Sequence, residues 1–69
     1  MNSRVRITRF MQQQVVATRP QISAAMGLSL VSTNAAVAAL EKEGVLTAGE
    51  LVSSGGGRPV REYHFNPQH

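Results

Sequence analysis

Cysteine is missing from this 69-residue chain. Disulfide staples and cysteine-based zinc sites are therefore excluded, and an apolar core alone must hold the fold. The absence is compatible with a reducing compartment such as the cytoplasm. No apolar run approaches the roughly 18 residues that mark a membrane span. The basic start leads into a polar amphipathic stretch, not into a secretory leader. A soluble cytoplasmic chain with no membrane partner is expected. Histidine occurs only as His64 and His69, with no neighbouring carboxylate cluster, so no metal site is expected. The run Gly55-Gly56-Gly57-Arg58 lacks the lysine-hydroxyl ending of a phosphate-binding loop. No nucleophile and base can be paired either. No catalytic residue and no cofactor is assigned, and the chain is not expected to be an enzyme.

The length fits one domain over residues 1–69. A domain of this size buries only roughly 60% of the surface its unfolded chain exposes. The net charge of +3, with a pI near 10.7, leans towards a polyanionic partner. Placement says more than the total. Arg4, Arg6, Arg9 and Arg19 lie in the first third, and Arg58 and Arg61 lie near the end. Between Arg19 and Arg58 the only basic residue is Lys42.

Ile7, Phe10, Met11 and Val15 recur at helical spacing and predict a first helix over residues 4–18. Thr18 and Gln21 form a capping box, with Pro20 in the first turn, so a short second helix is expected over 19–26. Its apolar face is Ile22, Ala25 and Met26. Gly27 suits the left-handed position that ends a helix, and Ser29 can cap the next. A third helix follows over 30–43. Steps of 100° place Thr33, Ala36, Val37 and Leu40 on a core face, with Leu30, Val31, Asn34, Ala35 and Ala38 roughly opposite. Beyond Gly44 the β-branched stretch 45–52, the Ser/Gly-rich tip and the alternating stretch 60–65 read as a β-hairpin. Tyr63 and Phe65 are expected to pack on the helices, and Glu41, Lys42 and Glu43 to form a solvated helix end. The fold class is α+β, mainly helical: three helices plus a two- or three-stranded wing.

A short helix, a glycine turn and a second helix make a helix-turn-helix unit. On the outer face of the third helix, Ala35 and Ala38 leave room for the backbone to enter a major groove. Asn34 can donate to and accept from an adenine edge, and Leu30 and Val31 can pack on thymine methyls. Ser29, Ser32 and the amides at the helix start can bind phosphates. Gly57 and Arg58 sit at the hairpin tip, where an arginine suits the narrow minor groove of A·T-rich DNA. Arg4, Arg6, Arg19 and Arg58 are the expected phosphate or groove contacts. Each feature also has a plainer explanation. The apolar outer face could bury against another protein, and the tip could carry one solvated arginine. A protein-interaction module is therefore the competing expectation.

Three segments carry a family resemblance: Ile22 to Ser29, Leu40 to Leu46, and Gly56-Gly57-Arg58-Pro59. Together they resemble the N-terminal winged helix-turn-helix domain of ROK-family (repressor, ORF, kinase) transcriptional regulators. They are also similar, less specifically, to MarR-like winged helices. The resemblance implies repressor-type binding to duplex DNA. The third helix would lie in the major groove through Ser32, Asn34 and Ala35, and the wing would reach the minor groove through Gly57 and Arg58. Family members usually carry a basic residue just after the position of Asn34, where this chain has Ala35 and Ala36. They also continue into a sugar-sensing, kinase-like domain. The resemblance thus implies either a fragment of a longer regulator, whose effector-sensing part is absent here, or a stand-alone domain. A homodimer would read palindromic half-sites.

Overall fold

The computed structural model describes residues 2–53 and 58–68. The elements run α1 (Ser3–Gln14), β1 (Val16–Thr18), α2 (Arg19–Met26), α3 (Leu30–Lys42), β2 (Leu46–Val52) and β3 (Val60–Phe65). The three strands form one antiparallel sheet in the order β1-β3-β2.

The helix ends follow from local chemistry. Asn2 caps α1, its side chain accepting from the Val5 amide. Thr18 and Gln21 close both halves of the capping box on α2. Gly27 takes the left-handed conformation, with φ of 67°, that turns the chain out of α2. The Ser29 hydroxyl accepts from the Ser32 amide and starts α3. Caps of this kind contribute about 1 kcal/mol each. Across the turn at 27–29 the chain direction changes by 114°, within the range of helix-turn-helix units.

The first helix is shorter than its periodicity predicts. It stops at Gln14, and residues 16–18 pair with β3 through Val16↔His64, Ala17↔Tyr63 and Thr18↔Glu62. Val15 makes the corner with φ of 69°, a conformation that a β-branched residue rarely adopts. Both its backbone groups are satisfied there, since its amide donates to the Met11 carbonyl and its carbonyl accepts from the Phe65 amide. Val15 is consequently exposed, not part of the α1 core face, and Ala25 is exposed as well. The apolar sides of α1 and α2 reduce to Ile7, Met11 and Ile22, with Phe10 and Met26 packed at the margin.

Those residues meet Ala17, Ala36, Val37, Leu40, Val45, Leu46 and Tyr63 in one core. Complete burial of an Ile, Leu or Met side chain stabilises by about 1.5–3 kcal/mol, and Ile7, Met11, Ile22 and Leu46 are all buried to this degree. On β2 a bulge sets Gly49 and Glu50 against a single residue of β3, Glu62. Gly49 lies under the His64 ring, where a Cβ would come within 2.7 Å of the imidazole, so a side chain there would displace it. The core face of α3 expected from helical phasing is thus realised in full. Three helices with a β3-centred wing make a winged helix-turn-helix.

Candidate nucleic-acid interface

The outer face of α3 is bare. Val31 is 80% exposed and Leu30 54%, and Ser32, Asn34, Ala35 and Ala38 are exposed beside them. None of these residues carries a charge. The Ser29 hydroxyl oxygen accepts from the Ser32 amide as the α3 cap, and its O–H remains a donor.

Beside this face lies a cleft of about 310 Å³, lined by Arg19 and Pro20 of α2, Leu30 and Asn34 of α3, and Pro59, Val60 and Arg61 of the wing. The helix start, the outer face of α3 and the base of the wing therefore converge on one surface. Among the described residues, two arginines line it and no carboxylate does. The Arg19 guanidinium carbon sits 5.1 Å from the centre of the Tyr63 ring, in cation–π geometry. Arg61 reaches back across the bulge and donates to the Gly49 carbonyl at 2.6 Å. Arg58 is exposed one residue before Pro59. Gly57 lies outside the described residues, as does most of the Ser/Gly tip.

The remaining N-terminal arginines occupy other surroundings. Arg4 forms an ion pair with Glu43 at 3.0 Å, at the C-terminal end of α3, against the expectation that Glu43 is merely solvated. Arg6 donates to the Met26 carbonyl at 3.1 Å and so caps α2 from α1. Of Arg4, Arg6, Arg19 and Arg58, the structure brings only Arg19 into the lining of the cleft.

Arg61 was missed by sequence reasoning. It lines the same cleft as Arg19 because β1, which leads directly into α2, pairs with β3 in the register Thr18↔Glu62 and so brings the start of α2 to the strand that carries Arg61. Reading residues 15–18 as helix concealed that register. Chemically, the surface can take an anionic group in the cleft while an uncharged helix face lies against whatever carries that group. Among the described residues, no cluster of three His, Asp or Glu side chains could hold a metal ion. Among the same residues, no single helix is long and apolar enough to cross a membrane.

No protein-family model matches the chain, and no curated protein sequence matches it. A solved structure does: a "possible transcriptional regulator from Methanosarcina mazei Go1", at 13% identity and a TM-score of 0.77. The match covers 94% of this chain and 55% of that one, so the chain spans little more than half the length of the structure it resembles. At that identity the likeness establishes a shared fold, the one found in that regulator.

Proposed function

We propose that this chain is a sequence-specific duplex-DNA-binding domain of a transcriptional regulator, acting as a repressor. One observation carries the reading: an uncharged, exposed α3 face lies along a cleft that holds two arginines and no acid. A helix of this width fits the major groove, and its small residues Ala35 and Ala38 let the backbone approach the bases. Asn34 reads an adenine edge, Leu30 and Val31 contact thymine methyls, and Ser32 meets the backbone near the helix start. Arg58, and Gly57 before it, reach the neighbouring minor groove. The likeness to a regulator of similar fold supports this role. The ROK assignment rests on the Gly-Gly-Arg-Pro wing and the helix-turn-helix spacing; dimerisation and a sensing domain beyond this chain belong to the same proposal.

Selection of bound duplexes from a random pool tests the reading directly. A defined motif should emerge, palindromic if the protein dimerises. Asn34→Ala should relax the preference at one base position by about 1–3 kcal/mol and leave thermal stability unchanged. A chain that holds no duplex at low salt, or one that self-associates independently of salt, would instead be a protein-interaction module.

A further inference from the structure

Arg19 and Arg61 belong to different elements yet share one cleft. β1 leads directly into α2 and pairs with β3, which brings the start of α2 to the strand that carries Arg61. Among the described residues, no carboxylate lines the cleft. Glu62, the adjacent acid, alternates to the other side of β3, whereas Arg61 and Tyr63 are two residues apart and share a side. Both arginines are also held in place. Arg19 lies over Tyr63, itself only 3% exposed and fixed by the core, and its Nε is shielded and unpaired. Arg61 is tied to the Gly49 carbonyl by one of its five N–H donors. Two guanidinium groups prepositioned in this way match the oxygens of one phosphate and lose little side-chain freedom on binding it.

We propose that Arg19 and Arg61 form a two-arginine seat for a single backbone phosphate of duplex DNA, with Tyr63 as the positioning residue for Arg19. The inference rests on the DNA-binding reading and adds to it a contact residue, Arg61, and a stoichiometry of one phosphate for two arginines. The same cleft carries Leu30 and Asn34, so the seated phosphate fixes the register of α3 on the bases.

Duplex affinity measured by anisotropy over roughly 50–200 mM salt separates the outcomes. Arg19→Gln and Arg61→Gln should each weaken binding. The double variant should lower the slope of log affinity against log salt by about 0.9, the value for one phosphate. A fall of about 1.8 would mean two separate phosphates and would overturn the shared seat; an unchanged slope would overturn the contact altogether. Arg9→Gln, on α1 away from the cleft, should keep the wild-type slope. Tyr63→Phe keeps the ring and should keep the wild-type affinity, while a folded Tyr63→Leu should weaken binding as much as Arg19→Gln does. Tyr63→Leu retaining the wild-type affinity would remove the positioning role. The arginine variants carry the test even where Tyr63→Leu fails to fold. A wild-type chain that binds no duplex sinks the parent reading, whereas wild-type binding with an insensitive double variant sinks only the seat.

Discussion

The two faces of α3 show how one helix divides its work. Thr33, Ala36, Val37 and Leu40 are buried against α1, α2 and the sheet. Leu30, Val31, Asn34, Ala35 and Ala38 are exposed on the other side. Composition does not separate them, since both faces are rich in alanine and aliphatic residues. Position does. An aliphatic side chain on the inner face adds to stability, and one on the outer face is available to a partner.

The two ends of α3 make a parallel contrast. Near its C-terminus, a cleft of about 470 Å³ is lined by Arg4, Arg9 and Glu43 together with α1 residues, and there Arg4 is neutralised by Glu43. Towards its N-terminus, the smaller cleft holds Arg19 and Arg61 with no acid. The larger cavity is thus the less suited to an anion. Charge pairing, not volume, favours the N-terminal end as the interface.

Substitutions on α3 can break or sharpen this comparison. The largest effect is expected from Leu40→Ala, which removes a 3%-exposed side chain from the core. Chemical denaturation should register a loss of about 2–5 kcal/mol; a near-neutral result would mean that the inner face is not close-packed. Thr33→Val should act in the opposite direction. The Thr33 Oγ1 is buried without a hydrogen-bond partner, so an isosteric methyl should stabilise by up to about 1 kcal/mol. A clear loss of stability in this variant would show that the hydroxyl is satisfied. Smallest in stability is Val31→Ser, on the outer face, expected to stay within about 0.5 kcal/mol of the parent. Its effect belongs in binding: discrimination between thymine and uracil duplexes should weaken, because the thymine methyl loses its apolar contact.

Much of this was legible in the sequence because it is local. The Thr18–Gln21 capping box, the Gly27 turn and the Ser29 cap depend on residues within a few positions of one another. The α3 faces needed only the helical period. The end of α1 was not legible, for a physical reason. Val15 continues the apolar spacing, and the nearest local breaking signals, the Thr18 cap and Pro20, come only after residue 17. What stops the helix is the pairing of residues 16–18 with a strand more than 40 positions away, which outweighs the cost of a β-branched residue at φ of 69°.

The sequence by itself determined three helices, the caps of the second and third, the inner and outer sides of the third, and a hairpin after it, because short-range hydrogen bonds and hydrophobic periodicity specify each of these. Only the tertiary structure decided that a third strand joins the sheet, that Arg4 is paired with Glu43 while Arg19 lies over a buried tyrosine, and that Arg61 lines the same cleft as Arg19. Those outcomes require distant segments to meet, and strand register, which is set by that meeting, selects the side chains that become neighbours.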